Sequence, residues 1–295
     1  MKTNAVVALA ALLVLPSAAE AEEPPANEPE PASVPVSALS SQTAPEADPA
    51  ADEESEEEED GAGFAMGFEA DTQLVYAWRG QQSSAGPVDQ PFFFLDLYNF
   101  EFSVYGNIPL NNQETDVNGA AIRPGTLTEF GPQLTYFGAF GDLRIEPSVV
   151  FYFYPGLKDA PTGEAWLKLA YPVLSSLPDL SLYALNIVDF VGAKGGYYGE
   201  AGLEFEREVL NGNGVLFSNL GLSAGTARFN SFYFDVDRAA LEAVSASVFL
   251  EYTFLKHLYA RPHIEASFLL DNELAGNIQD SPFLFNAGLA IGAAL

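Results

Sequence analysis

Leu143-Arg144-Ile145-Glu146-Pro147-Ser148-Val149-Val150-Phe151-Tyr152-Phe153-Tyr154 is the stretch whose pattern decides the fold. Leu143, Ile145, Pro147, Val149, Phe151 and Phe153 are apolar. Between them sit Arg144, Glu146 and Ser148, and then Val150, Tyr152 and Tyr154. A period of two belongs to a strand with two unlike faces, because successive side chains point to opposite sides of a sheet. The pattern recurs in both directions along the chain. Phe68, Ala70, Thr72, Leu74, Tyr76 and Trp78 alternate with Glu69, Asp71, Gln73, Val75, Ala77 and Arg79. Leu258, Ala260, Pro262, Ile264, Ala266 and Phe268 alternate with Tyr259, Arg261, His263, Glu265 and Ser267.

Twelve strands are predicted, over residues 66–79, 91–98, 100–109, 127–138, 142–154, 163–172, 180–190, 196–209, 214–225, 240–254, 257–270 and 282–294. The segment at 180–190 alternates least well. Pro132, Pro147 and Pro262 fall inside strands, where each removes one ladder donor. The connections sort by length. Those at 80–90, 111–125, 155–162, 226–238 and 271–281 are long, with 191–195 the short exception. The alternate set, at 99, 139–141, 174–179, 210–213 and 255–256, is short. An even number of antiparallel strands, with tight turns on one rim and long loops on the other, predicts an all-β, up-and-down transmembrane barrel. Periodicity alone also fits a soluble lipocalin-like barrel or sandwich with the faces reversed. Strand length and aromatics near the segment ends favour the membrane. The aromatics are Tyr76/Trp78, Phe92/Phe93, Phe151/Phe153 and Tyr171, with Tyr252/Phe254 and Phe100/Phe102 beside short turns.

The first residues point to export. Lys2 precedes an unbroken apolar run from Ala5 to Leu15, and Ala19-Glu20-Ala21 offers a small-residue cleavage site. Residues 1–21 therefore read as a cleaved signal peptide. Residues 22–63 form a Pro-rich acidic arm. Its stretch from Glu22 to Asp60 holds 14 Asp/Glu and seven Pro with no Lys or Arg. A segment so charged and so poor in large apolar groups cannot offset its ordering entropy, and disorder is expected. Every aromatic residue lies from Phe64 onward, so residues 64–295 are the folded domain. The chain has no Cys, which excludes disulfides, thiolate metal sites and a cysteine nucleophile. With 12 basic against 41 acidic residues, nucleic acid is not an expected partner.

A family resemblance follows from the order of short motifs. Tyr76-Ala77-Trp78-Arg79-Gly80 precedes a Ser/Gly loop and the strand Phe92–Tyr98. Phe100-Glu101-Phe102-Ser103-Val104-Tyr105-Gly106-Asn107 comes next. Then come Phe151-Tyr152-Phe153-Tyr154-Pro155-Gly156, Glu164 opening the next strand, and Tyr197-Tyr198-Gly199-Glu200. Over most of residues 66–226 this order resembles the TorF-type porin family of small outer-membrane β-barrels. The resemblance implies a channel and brings no catalytic residues. The chain departs from the aromatic ending of many such barrels, closing on Ile291-Gly292-Ala293-Ala294-Leu295.

Catalytic patterns are sparse. His257 falls in a tight turn. His263 shares the inward face with Ser245 and Ser267, but no nucleophile motif joins them. The spacing of the two histidines fits no zinc motif. Asp235/Asp237 and Asp271/Glu273 could hold Ca²⁺ weakly, although solvated surface charge suffices. No cofactor, metal site or enzyme activity is expected.

The leading functional expectation is a porin-like channel in the bacterial outer membrane for passive diffusion of small solutes. Its alternative is an anchoring barrel with a plugged lumen, displaying the acidic arm in the periplasm, where residues 22–60 could meet a periplasmic or cell-wall component. An outer-membrane hydrolase is a minor third reading. The expected partners are outer-membrane lipid and small solutes or cations. The expected pore-lining residues include the acidic Glu69, Asp71, Asp96, Glu101, Glu129, Glu146, Glu164, Glu200, Glu204, Glu206, Glu251 and Glu265. Beside them stand Arg79, Arg144, Lys168, Arg261 and His263. An acidic excess of that kind predicts cation preference. Inward Phe92, Phe94, Tyr105, Trp166 and Phe249 should narrow the lumen. The twelve strands also place both termini on the short-turn side, expected to face the periplasm.

Overall fold

The computed structural model describes residues 63–295 apart from 85, 117, 175, 279 and 280. The expected signal peptide and nearly all of the acidic arm lie outside the described residues. Twelve antiparallel strands form one closed barrel. They are β1 Phe64–Gln73, β2 Val88–Leu97, β3 Phe100–Pro109, β4 in two pieces (Glu129–Tyr136 and Gly138–Phe140), β5 Leu143–Tyr154, β6 Asp159–Leu174, β7 Leu177–Asp189, β8 Gly196–Val209, β9 Gly214–Gly225, β10 Ala240–Leu255, β11 Leu258–Leu269 and β12 Phe283–Ala294. Both pieces of β4 pair with β5, so the extra segment is a broken stave and adds no thirteenth position. The barrel closes where β1 meets β12, with Phe68 opposite Ala293.

The alternation seen in the sequence becomes an inside-out distribution of polarity. Phe68, Leu134, Leu220, Ile264, Leu289 and Ile291 stand on the outer wall, each roughly half exposed. Glu69, Gln73, Gln90, Asn107, Glu129, Glu164 and Glu204 are buried within. A soluble barrel would do the opposite, because leaving a large apolar side chain in water forgoes about 1.5–3 kcal/mol. Aromatics ring both ends of the apolar band. Tyr98, Phe100, Tyr136, Phe140, Tyr252 and Phe254 lie exposed toward the short turns, and Phe151, Phe153, Phe190, Phe283 and Phe285 toward the long loops.

Three expectations need correction here. The first strand ends at Gln73, not 79, and Tyr76 and Trp78 are fully buried rather than part of a girdle. Phe92, expected both in a girdle and inward, points into the interior cavity. The connection at 155–162 is short, because β6 begins at Asp159, paired with Tyr154 across a turn in which Lys158 takes φ 62°. The longer loops carry structure that alternation could not show. Residues 74–87 contain a small ribbon, Ala77–Trp78 paired with Gln81–Gln82. Residues 226–239 contain α1, Ala227–Phe234, and residues 270–282 contain α2, Asn272–Ile278.

Candidate functional site

The barrel interior divides into an ion-paired chamber toward the short turns and an aromatic plug toward the long loops. The chamber encloses about 250 Å³. Glu69, Asp71, Glu101, Glu146, Lys168, Glu200, Glu204, Arg261, His263 and Glu265 face it, and Phe92, Phe94, Tyr105, Trp166 and Phe249 narrow it. Each chamber cation is held. Glu204 bridges Arg144 and Lys168, the latter at 2.9 Å, with Glu206 and Glu146 each 3.9 Å from one of these two cations. Arg261 pairs with Glu69 and lies 4.0 Å from Glu251. His263 Nε2 meets Asp71 at 2.9 Å, so its partner is a carboxylate and not a serine. Glu101 stands directly opposite Asp96 on β2, near the turn-side rim. Asp96, Glu101, Glu129, Glu200 and Glu265 form no ion pair among the described residues.

At the level where chamber meets plug, a line of amides crosses the closing seam. Asn286 on β12 donates to Gln73 Oε1 at 2.8 Å, Gln73 to Gln90 at 2.7 Å, Gln90 to Asn107 at 3.3 Å, and Asn107 to Thr128 at 3.0 Å. β12, β1, β2 and β3 each contribute one inward side chain, and Thr128, just before β4, supplies the last, so each buried polar group finds a partner on its neighbour.

The plug begins with the 77–82 ribbon. Arg79 and Gly80, at φ 45° and 86°, are its two turn residues, the conformation of a tight reverse hairpin. Gly80 presses against the far wall, where an added Cβ would lie 2.9 Å from the Cβ of Ala243. Arg79 reaches β6 instead. Its guanidinium donates from Nη1 to Glu164 Oε1 at 3.0 Å and from Nη2 to Oε2 at 2.8 Å. Its Cζ lies 4.3 Å from the Trp78 ring centre, 4.6 Å from Tyr198, 5.1 Å from Phe229 and 5.8 Å from Tyr233. Burial works against the charged form, but the Glu164 charge and hydrogen bonds outweigh it and hold the Arg79 pKa above its usual value.

Glu164 is fully buried and also accepts from Trp166 Nε1 at 2.8 Å, Tyr233 Oη at 3.0 Å and Tyr152 Oη at 3.2 Å. Asp189, equally buried, accepts from Thr162 at 2.7 Å, and its Oδ2 lies 2.7 Å from the same Tyr233 Oη, whose single proton the two carboxylates share. Glu129 accepts from Tyr105. Helix α1 lowers Phe229, Tyr233 and Phe234 into this core, and Leu274 of α2 joins them. The Arg79–Glu164 pair therefore sits inside an aromatic body that fills the loop-side interior.

Outside the plug, ion pairs tie the loops to one another. Arg238 donates to both Asp271 oxygens at 2.6 Å and to Glu273 at 2.9 Å, so this acidic pair, considered above for Ca²⁺, is engaged by an arginine. Asp116 pairs with Lys158, whose hydrogen bond, with those from the Ala120 and Asn118 amides, holds the Asp116 carboxyl at about 2. Its folded pKa lies below the unfolded value of ~3.9, so the stabilisation is complete above that value and is lost as pH falls through about 2. Limited pepsin digestion should therefore spare residues 110–128 at pH 3.5 and cut them at pH 1.5. An Asp116→Asn variant should be cut at both.

Of the residues expected to line a pore, all but Arg79 project from strands, and Arg79 arrives from a hairpin tip. Glu129 and Glu164 lie within the plug and not along the chamber. Sequence reasoning missed Asp189, because 180–190 alternates poorly. It also missed Glu242. At β9–β10 the register shifts between Leu222/Ala224 and Val244/Leu241, so Glu242 and Ala243 together oppose Ser223 and both turn inward. The helical spacing of Phe229, Phe232 and Tyr233 is the signal that would have found α1.

No family model matches this sequence, and no curated protein matches it. Solved structures with a similar chain course include the KdgM porin, at 13% identity, covering 78% of this chain and 97% of that one with a TM-score of 0.43. The NanC porin stands at 11% identity, 78% and 98% coverage and a TM-score of 0.44. An outer membrane channel from Pseudomonas putida F1 stands at 11% identity, 79% and 96% coverage and a TM-score of 0.44. Identities this low transfer no residue roles.

Proposed function

We propose that the chain is an outer-membrane channel of the TorF-type porin kind, passing small solutes passively with a preference for cations, and that its loop-side end is closed here by the Arg79 plug. The carrying observation is the inversion of faces, with an apolar, aromatic-ringed wall outside and buried carboxylates inside. Acidic linings favour cations because a narrow low-dielectric channel concentrates counter-ions. The pore-lining set is then the chamber groups, with Asp96, Arg144, Glu206 and Glu251 toward the turn-side rim and Glu129 and Glu164 becoming exposed when the plug opens. Phe64, where the barrel begins, and Leu295 both lie at the turn side, which supports a periplasmic place for the acidic arm. The filled loop-side interior favours a second reading, a non-conducting anchoring barrel that displays this arm. The reversal potential across a KCl gradient tests the first. The wild type should favour K⁺, and a variant with Glu200, Glu204 and Glu206 changed to Gln should move toward anions, because Arg144 and Lys168 lose their shared carboxylate. Anion preference in the wild type sinks the lumen assignment, and an absence of channel events favours the anchoring reading.

A further inference from the structure

We propose that the cage around Arg79 is a binding site for a guanidinium-bearing solute, occupied in this structure by the chain's own arginine. The inference rests on the channel reading, since the chamber is the route to the cage.

The backbone gives the first reason. Arg79 holds the first position of a two-residue reverse turn at φ 45°, a place that Asn, Asp or Gly takes at least cost. A long side chain in a left-handed conformation marks a position kept for what the side chain reaches. The composition of the cage gives the second. Of the groups around the guanidinium, only Trp78 shares the hairpin. Glu164 and Tyr198 belong to the wall, and Phe229 and Tyr233 to α1. When the hairpin withdraws, a bidentate carboxylate and three aromatic faces remain in place. That set matches a planar, delocalised cation better than a compact ammonium.

Access gives the third reason. A cavity of about 140 Å³ is lined by Trp78, Arg79 and Tyr198 together with Glu200 and Glu265, and these two carboxylates also face the chamber. A cation moving from the chamber to the cage therefore passes carboxylates that line both spaces. A solute that takes Glu164 from Arg79 also releases the hairpin, which couples occupancy to opening.

Methylguanidinium is the probe, with urea as the neutral analogue of similar shape. The chain's two tryptophans, Trp78 and Trp166, both lie at this site, so intrinsic fluorescence reports on it. In full-length Arg79→Ala, refolded in detergent, methylguanidinium should give a saturable fluorescence change and raise the unfolding temperature, whereas urea at equal concentration should do neither. Adding Glu164→Gln should weaken binding at least about tenfold. The wild type should respond only at concentrations roughly tenfold higher or more, because the tethered arginine competes. Where Arg79→Ala does not fold alone, refolding is repeated with methylguanidinium present. Recovery of the heat-modifiable barrel supports the site, and failure to recover overturns it. A folded Arg79→Ala barrel that conducts but does not respond overturns the site and leaves the channel standing. A barrel that binds saturably but never conducts supports the site and overturns the channel.

Discussion

Replacing Arg79 with alanine should raise single-channel conductance roughly several-fold and lower the unfolding temperature in the same protein. The side chain is the only cation bonded to Glu164 among the described residues, and both groups are buried. Removing one partner of a buried pair leaves an uncompensated charge and costs about 3–5 kcal/mol. The strain of Arg79 in a left-handed turn no longer has a compensating contact, so the hairpin should leave the lumen rather than repack. Arg79→Ala/Glu164→Gln should regain much of the lost stability while staying open, because the stranded carboxylate is gone and the obstruction has not returned. Arg79→Lys should fall between, since a single ammonium cannot reproduce the bidentate geometry. Planar-bilayer recording and thermal unfolding in detergent check the pair of effects. Lowered stability with unchanged conductance would mean that the hairpin does not obstruct the path.

A second large effect is expected on the outer wall. Leu220 lies in the middle of β9, half exposed, paired with Leu203 on β8 and Ala246 on β10. In water, Leu220→Lys would cost almost nothing. Facing hydrocarbon near the bilayer midplane, it should cost about 2–4 kcal/mol. Denaturant unfolding from liposomes measures this, and a cost near zero would return the wall to solvent. Asn219→Lys, one residue away on the inner face, should cost much less, because carboxylates such as Glu200 and Glu204 surround the chamber.

The strands were legible because their physics is local. Gly196–Val209 and Gly214–Gly225 follow directly from period two bounded by turn residues. The plug was not legible, because each of its parts imitates or hides from that pattern. Leu74, Tyr76 and Trp78 continue the alternation of β1 past its end at Gln73, so a loop hairpin reads as more strand. Its turn was hidden by an arginine where Asn or Gly usually announces one. The bulge at Glu242 and Ala243 depends on what β9 offers opposite, which periodicity along one strand cannot register. The interior carboxylates were found as a face. Their division into chamber and plug follows from where α1 and the hairpin fold back, and that is long-range information.

Which face of the wall meets lipid is tested directly by a spin-label scan of β9 in bilayers. The chain has no cysteine, so single Cys substitutions label without background. At Leu216, Leu220 and Leu222, collisions with oxygen should dominate over collisions with a water-soluble nickel chelate. At Phe217, Asn219 and Ser223 oxygen access should fall, giving a two-residue oscillation along the strand. Nickel access at the three leucines equal to that of an exposed loop would contradict the membrane barrel and the channel reading built on it.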